Sequence, residues 1–280
     1  MLESMQRIAA VDRKDVSVKR VIKAIVRRIA DIPNTVLFFL PLGFYKKNRV
    51  AIKSYKDKHK GQRCFIVCNG PSLKDIDFSL LKDEITLGMN RIYLMKDQNG
   101  FEPTYLGCVD KNSQILQFYE DLDKLTMPCF FIFNLRNYFS KKDNQLYIKL
   151  RFSPKFQKDC SRLLGAGGSV TYSMMQLAFY MGFQEVYIIG KDHSFNTNAA
   201  PGTAIKSDGN DVNHFIKGYY KKGMTWDAPH IETEELAYKF TRKAFEGAGR
   251  IIKNATIGGK LEVFERVGFY SLFPKKEVQG

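Results

Sequence analysis

The sequence has few of the residues that hold metal ions or cross-link chains. Its 280 residues include only five cysteines and four histidines. The cysteines show no metal-ligand spacing, and Cys64, Cys68, Cys108 and Cys129 lie in or beside short apolar runs, with Cys160 as the fifth. We therefore expect buried free thiols in a reducing compartment and no resident metal ion.

Two common nucleotide-binding motifs are missing. No G-x-G-x-x-G follows an apolar strand-like run, and G-x-x-x-x-G-K-[ST] does not occur. These motifs hold the phosphates of dinucleotides and of nucleoside triphosphates, respectively. Their absence disfavours a conventional nicotinamide site or P-loop, and we expect no bound cofactor.

The chain also lacks a long apolar run. The most apolar stretch near the N-terminus, residues 36–45, is interrupted by Pro41. A membrane-spanning helix needs roughly 20 apolar residues, so this stretch is too short to cross a bilayer. No small-residue cleavage site follows an apolar segment near residue 1, so a secretory signal is not expected.

Charge of one sign is concentrated at the N-terminus. The net charge is +15, and residues 1–63 contain 16 Lys and Arg against five Asp and Glu, or +11. The remaining residues account for only +4. A nucleic-acid-binding fold would carry basic patches on its core, so we expect no nucleic-acid partner.

The basic segment has the pattern of an amphipathic helix. Its apolar residues recur at helical spacing, and they are Val18, Val21, Ile22, Ile25, Val26 and Ile29. Lysines and arginines fill the other positions, and Pro33 ends the pattern. We predict that residues 1–60 form a membrane-associating segment whose residues 18–60 contact an anionic membrane surface, at the inner face of the cytoplasmic membrane. The alternative is a helical hairpin packed on the core.

Residues 61–280 alternate apolar strand-like runs with helical patterns. This predicts an α/β fold, a Rossmann-like, mostly parallel sheet with helices on both faces, preceded by the N-terminal basic amphipathic helical segment. Residues 196–230 are mostly polar and glycine-rich, with little regular pattern. A loop of this length predicts a lid or a substrate-binding segment.

Polar residues follow the ends of four predicted strands: Asn69, Asn90, Asp110 and Asp192. The carboxyl ends of parallel strands share one edge of the sheet, so these side chains should converge on one crevice. Two helix starts should border it: one is formed by Asn69, Gly70, Pro71 and Ser72, the other by Gly167, Gly168 and Ser169. Amides at such starts bind anions, which predicts a phosphate.

The residues at these positions resemble a known family. The stretch Cys-Asn-Gly-Pro-Ser-Leu-Lys-Asp-Ile-Asp at 68–77 is similar to the N-terminal motif of bacterial sialyltransferases that use CMP-sialic acid. The strand ending at Asn90-Arg91, the helix start Gly-Gly-Ser-Val-Thr-Tyr and the run from Tyr187 to Asp192 extend the likeness. The pattern also resembles the broader MptE-like group, which includes 6-hydroxymethylpterin diphosphokinases. The resemblance covers about residues 60–265.

The resemblance implies a Rossmann-like enzyme that needs no metal and binds a nucleotide sugar. Asn69 would contact the nucleotide phosphate and ribose, with Asn90 and Arg91 nearby, and Asp110 replaces an asparagine of the family. Gly167, Gly168 and Ser169 would hold the donor. His230 matches the position of the catalytic base, while His193 and Ser194 replace family aromatic residues. Tyr219 or Tyr220 of the loop is then a candidate to assist the leaving phosphate.

Glycosyl transfer also requires a base for the acceptor hydroxyl. A histidine that titrates near neutrality suits this task, and His230 and His193 are the candidates, with His193 alternatively binding phosphate or orienting Asp192. We read His59 and His214 as solvated.

These patterns predict a bacterial glycosyltransferase of surface polysaccharide synthesis. The favoured donor is a CMP-activated acidic sugar, and the acceptor is a glycan or lipid-linked saccharide. The sequence is compatible with either a monomer or a homo-oligomer. One alternative is a pyrophosphokinase that uses ATP and Mg²⁺, held by Asp110 and Asp192, on a pterin-like molecule. Another is a non-catalytic nucleotide-binding scaffold.

Overall fold

The computed structural model describes residues 18–109 and 112–274. Its central sheet consists of parallel strands: β1 Arg63–Val67, β2 Thr86–Met89, β3 Tyr105–Cys108, β4 Cys129–Ile132, β5 Gln145–Ile148, β8 Glu185–Ile189 and β11 Ile251–Asn254. Two small pairs accompany it: β6 Leu150–Arg151 with β7 Leu164–Gly165, and β9 Ala204–Lys206 with β10 Thr225–Asp227.

The strand order creates a crevice beside β1. The sheet runs β11-β8-β1-β2-β3-β4-β5, so the chain moves from β1 to one edge and then returns to β8 on the other side. The connections that leave β1 and β8 therefore diverge to opposite sides. Open α/β sheets bind ligands at this reversal, outside the carboxyl ends of the strands.

Helices lie on both faces of the sheet, which confirms the predicted Rossmann-like α/β class. They are α1 Val18–Ala30, α2 Ile32–Phe39, α3 Gly43–Lys53, α4 Lys96–Asn99, α5 Asn112–Ile115, α6 Tyr119–Asp123, α7 Val170–Tyr180 and α8 Ile231–Glu246. Helix α7 packs across β1, β2 and β3. On the opposite face, Ile92 of the 3₁₀ turn Ile92–Met95 covers Gly88 of β2.

Close packing of α7 on the sheet explains its composition. Every residue of this helix is buried. Met174 occupies the space that a side chain at Gly107 of β3 would need. Met174, Met175 and Met181 are fully buried, as expected for core packing. Parallel strands covered on both faces have continuous apolar sequences for the same reason.

The N-terminal helices meet the sheet at its β5 edge. Asn48 of α3 donates to the Tyr147 carbonyl and accepts from the Tyr147 amide, both at 2.8 Å, so its side chain pairs with the edge strand as backbone would. Lys149 donates at 2.6 Å to both carboxylate oxygens of Asp31. The residues from Asp31 onward are therefore packed on the fold rather than set apart from it.

Helix α1 spans the stretch predicted to be helical. Ile22, Ile25, Val26 and Ile29 are 48–60% exposed, so its apolar stripe faces away from the sheet. None of the helices in residues 18–109 and 112–274 combines the length and the apolar character needed to cross a membrane.

Two local predictions need correction. The helix expected after Gly70 is a five-residue 3₁₀ turn, Pro71–Asp75. The loop predicted to have little regular pattern contains the antiparallel pair β9–β10, which holds the two ends of the segment together. Such short pairs depend on their surroundings, so their own sequence carries little signal.

Candidate functional site

A cavity of about 190 Å³ lies at the reversal of the strand order. It is lined by the residues that follow β1, β2 and β8, by the start of α7, and by the segment 213–230. Eight predicted site residues line it: Asn69, Gly70, Asn90, Gly168, Ser169, Asp192, His193 and His230. Asp110 lies outside the described residues. Pro71, Ser72, Arg91 and Gly167 do not line this cavity.

Asn69 lines the cavity and carries an unsatisfied polar atom. Its Nδ2 donates to the Met89 carbonyl at 3.2 Å, which fixes the orientation of the amide. Its Oδ1 is buried and has no hydrogen-bond partner among the described residues. A buried acceptor without a partner costs about 1–3 kcal/mol. In a residue of the cavity lining, such an atom is a candidate acceptor for a donor group of a ligand.

The Gly70–Ser72 turn closes around Asp192. The Gly70 amide donates to the Gly190 carbonyl at 2.8 Å, and a Cβ at residue 70 would collide with Asp192 Oδ2. Ser72 donates to the same carboxylate oxygen from its hydroxyl at 2.8 Å and from its amide at 3.4 Å. The sequence predicted that this amide would bind phosphate. The structure instead pairs it with Asp192, whose carboxylate locks the β1 and β8 connections together.

Asn90 and Arg91 follow β2 but do different work. Asn90 has a left-handed backbone (φ 50°) and lines the cavity. Arg91 is only 3% exposed and lies behind the cavity wall. Its amide donates to the Tyr219 hydroxyl at 3.2 Å and its guanidinium donates to the Tyr219 carbonyl. The predicted nucleotide-binding role of Arg91 is replaced by anchoring of the 213–230 segment.

The start of α7 opens on the cavity. Gly168 (φ 85°) turns the chain into Ser169, the residue before the helix. The Ser169 side chain does not cap the helix; its Oγ lies 2.8 Å from the Tyr238 hydroxyl instead. The first amides of an eleven-residue helix therefore face the cavity without a cap from Ser169. Gly167 lets α8 and Tyr172 approach, since a side chain there would collide with Tyr172 and Ala237.

A buried ion pair that sequence reasoning missed lies at the back of the cavity. Lys191 Nζ donates to Glu234 Oε2 at 2.8 Å, and Tyr238 donates to the same oxygen at 3.2 Å. Burial works to lower the pKa of Lys191, but Tyr238 and Glu234 outweigh it and raise the pKa, so Lys191 is charged. A lysine two residues after the end of the apolar strand β8 was the available signal.

His193 is enclosed by charged groups. It is 6% exposed, has a left-handed backbone (φ 54°), and places Nε2 3.3 Å from Glu235 and Nδ1 3.9 Å from Glu234. Burial and then the charge of Lys191 lower its pKa, against opposing effects of the two glutamates. His193 is therefore neutral near pH 7 and lies between carboxylates.

The other three histidines differ in their surroundings, and two of them line the cavity. His230 precedes α8, is exposed, and has no hydrogen bond to its ring within the described parts of the chain. His214 was expected to be solvated, but it lines the cavity, and its side chain is 15% exposed. His59 was also expected to be solvated. It is half-buried, and its Nε2 lies 2.7 Å from the Tyr105 hydroxyl.

Aromatic residues of the 213–230 segment form one wall. Tyr220 and Trp226 line the cavity with nearly parallel rings, at an interplanar angle of 17°. Tyr219 is 1% exposed behind them. Of the two tyrosines considered for the leaving group, only Tyr220 reaches the cavity.

Among the described residues, the cavity lining contains as many amide side chains as lysine and carboxylate side chains. Asn69, Asn90, Gln114 and Asn213 line it. Its charged residues are Lys191 against Asp192, Asp227 and Glu234. In residues 18–109 and 112–274, no three His, Cys, Asp or Glu side chains form a group able to hold a metal ion.

Comparison with known proteins gives a family and a related fold. A family model described as "6-hydroxymethylpterin diphosphokinase MptE-like" matches residues 42–198. This range contains the ends of β1, β2 and β8 and the start of α7, the elements that build most of the cavity. A search of curated proteins found no significant match.

A solved structure shares the fold. The MAf glycosyltransferase from Magnetospirillum magneticum AMB-1 superposes with a TM-score of 0.51 at 16% sequence identity, over 82% of this chain. The match spans 39% of that protein, so this chain corresponds to less than half of its length. At this identity the similarity concerns the fold.

Proposed function

The chain belongs to the MptE-like family, and from that premise we propose that it is a glycosyltransferase that uses a nucleotide-activated sugar. The favoured donor is a CMP-activated acidic sugar, and the acceptor is a glycan or lipid-linked saccharide of the bacterial surface. The fold shared with a glycosyltransferase supports this proposal. The residues of the cavity support separate roles in binding the nucleotide, binding its phosphate and activating the acceptor hydroxyl.

The unsatisfied Oδ1 of Asn69 is the observation that carries the proposal. Asn69 follows the carboxyl end of β1 and lines the same cavity as the uncapped start of α7. A ribose hydroxyl or a nucleobase amino group would supply the missing donor. The α7 amides would bind the phosphate, since a helix start favours negative charge. The proposed nucleotide site thus joins Asn69, Asn90, Gly168 and Ser169.

The charges of the cavity favour a donor with a single phosphate. Among the lining residues that the structure describes, Lys191 is the one cationic side chain apart from histidine, and Glu234 balances it. A triphosphate carries several negative charges, more than Lys191 and one helix start would offset, so it would need metal ions. A nucleoside monophosphate sugar places one negative charge at the helix start and is compatible with this lining.

The proposed reaction needs a base for the acceptor hydroxyl. His193 places Nε2 3.3 Å from Glu235, whereas its buried Nδ1 has no hydrogen-bond partner among the described residues, so His193 fits a role in holding Glu235 in place. His230 and His214 are the other two histidines of the lining. His230 and His193 are the two candidate bases named from the sequence.

Nucleotide-dependent stabilisation tests the proposal. CMP, CDP, UDP, GDP and ATP are each added with and without Mg²⁺, and the melting temperature is measured. We expect CMP to stabilise the protein without metal, by about 2.7 kcal/mol at 100 times its Kd. Asn69→Ala should lower the affinity at least tenfold, whereas Asn99→Ala, exposed beyond the amino end of β3, should not change it. No stabilisation by any nucleotide would overturn the proposal.

A second function is favoured by the description of the family. A pyrophosphokinase would transfer pyrophosphate from ATP to a pterin-like hydroxymethyl compound. Asp192 of the lining and Asp110 would have to hold Mg²⁺, although Asp192 is already bonded to Ser72. Stabilisation by ATP only when Mg²⁺ is present would support this function over glycosyl transfer.

We also propose that the N-terminal helices contact an anionic membrane surface. Ile22, Ile25, Val26 and Ile29 present an exposed apolar stripe on α1 beside Arg27 and Arg28. We expect the protein to sediment with vesicles of anionic lipids and to be released by salt. Replacing the four apolar residues with serine should abolish sedimentation, and Val212→Ser, equally exposed but outside residues 18–60, is the control. Unchanged sedimentation of the fourfold variant would contradict the proposal.

A further inference from the structure

A carboxylate holds His214 in the cavity wall. Asp211 accepts from Nδ1 of His214, at 2.8 Å to one oxygen and 3.0 Å to the other. Burial works to raise the pKa of Asp211, but the bond to His214 and the amides of Asn213 and Tyr220 lower it overall. Asp211 is therefore a carboxylate at neutral pH. An ionised partner at Nδ1 selects the tautomer that carries its proton there and leaves Nε2 as a proton acceptor.

The ring of His214 is fixed by stacking. It lies parallel to Tyr219, with centroids 4.0 Å apart and an interplanar angle of 3°. Tyr219 is in turn held by the backbone and guanidinium of Arg91, after β2. The next residue, Phe215, donates its amide to the Asn69 carbonyl at 3.0 Å. The histidine is therefore tied to the ends of β1 and β2 rather than carried on a free loop.

The remaining nitrogen of His214 is available to the cavity. Nδ1 is bound to Asp211, and Nε2 has no hydrogen bond to any residue within 18–109 or 112–274. His214 shares the lining with Asn69, Tyr220 and Trp226. His193 is buried beside two glutamates, and no carboxylate of the described residues is bonded to the ring of His230. A base oriented by a third group is the arrangement that activates hydroxyl nucleophiles.

We propose that His214 is the general base of the transfer reaction and that Asp211 is the residue that positions it. This inference rests on the proposed glycosyl transfer. The acceptor oxygen forms a bond to the anomeric carbon while the bond from that carbon to the donor phosphate oxygen breaks, and its electron pair leaves with the nucleotide. The hydroxyl proton passes to Nε2, and the imidazolium, stabilised by Asp211, later returns it to solvent. When water replaces the saccharide, the same base acts in hydrolysis.

The test measures nucleotide release from CMP-sialic acid, UDP-glucose, UDP-galactose and GDP-mannose by the full chain. We expect His214→Ala to lower kcat by about 10²–10⁴-fold, the usual contribution of a general base, with the nucleotide Kd nearly unchanged. Added imidazole should restore part of the rate of this variant, because it can occupy the space left by the ring. The same addition should not restore His230→Ala.

Asp211→Asn provides a second, independent variant. We expect kcat to fall by about 10–100-fold with the donor KM unchanged, since the amide no longer stabilises the imidazolium. His59→Gln is the matched control, because His59 lies at the other end of the sheet, beside Gln62 and Tyr105. Its kcat should equal that of the wild type.

The outcomes separate the two proposals. A wild type that releases no nucleotide from any of the four donors overturns the proposed transfer, and the base with it. If the wild type is active and either His214→Ala keeps more than a tenth of kcat or His230→Ala loses as much as His214→Ala, then His214 is not the base. A loss in Asp211→Asn confined to KM would overturn the positioning role of Asp211.

Discussion

Two buried lysines show how similar ion pairs serve different ends in this fold. Lys149 is 1% exposed and Lys191 is 7% exposed, and each binds a carboxylate. Lys149 contacts both oxygens of Asp31 and also Asn134, and it does not line the cavity described above. Lys191 contacts one oxygen of Glu234 and lines that cavity. The two ion pairs are alike, but their surroundings differ. Lys149 anchors the N-terminal helices, whereas Lys191 lies in the candidate site.

Removing each lysine should have the largest effect and should separate the two pairs. Lys149→Met and Lys191→Met each leave a carboxylate without its partner, so we expect each to cost about 3–5 kcal/mol of unfolding free energy. Only Lys191→Met should also weaken nucleotide binding. Urea denaturation and titration calorimetry measure the two effects.

Replacing both members of each ion pair tests the two lysines further. Asp31→Leu with Lys149→Met, and Glu234→Leu with Lys191→Met, remove both charges and should recover most of the stability, because no buried charge remains unpaired. The second double variant should still bind nucleotide poorly. Affinity equal to that of the wild type would show that Lys191, like Lys149, has a structural role.

Substituting a glycine of the cavity lining should have an intermediate effect on stability, and a glycine outside the cavity provides the comparison. A Cβ at Gly70 would collide with Asp192 Oδ2 and approach the Gly190 carbonyl to 2.6 Å. We expect Gly70→Ala to cost about 1–3 kcal/mol, measured by urea denaturation, and to weaken nucleotide binding. At Gly268, outside the cavity, the nearest atom to an added Cβ is 3.5 Å away, so Gly268→Ala should be nearly neutral. Equal losses in the two variants would contradict a tight turn around Asp192.

The smallest expected effect is a pH dependence at the cavity. The native pKa of His193 lies below its usual 6.5, because burial and Lys191 disfavour its charged form. The unfolded state therefore binds more protons below about pH 6.5, and stability should fall as the pH drops from 7 to 5. Comparing the free energy of unfolding of wild type and His193→Gln at both pH values isolates this contribution. If His193→Gln lost more stability than the wild type between pH 7 and pH 5, the prediction for His193 would be wrong.

Much of the fold was predictable from local pattern. Apolar runs such as Phe65–Cys68 and Glu185–Ile189 coincide with central strands because a sheet covered on both faces requires continuous apolar sequence. The helical spacing at 18–29 likewise corresponds to α1. The predicted crevice followed from one rule, that parallel strands end at the same edge. Asn69, Asn90 and Asp192 do line one cavity there.

Individual contacts in the site were not predictable, since they depend on distant segments. Arg91 follows a strand as Asn90 does, but it does not line the cavity. Its amide donates instead to the hydroxyl of Tyr219, which is 128 residues later in the chain. Ser72 meets Asp192 across 120 residues, which leaves its amide bonded to a carboxylate. Spacing along the chain carries no information about such partners.

The sequence by itself determined the α/β class, the basic N-terminal helix and the edge of the sheet where polar residues gather. These features follow from composition and periodicity, which are local properties. Only the tertiary structure decided which side chains at that edge face the cavity. It paired Lys191 with Glu234 and His214 with Asp211, because burial forces polar groups to find partners wherever the fold places them.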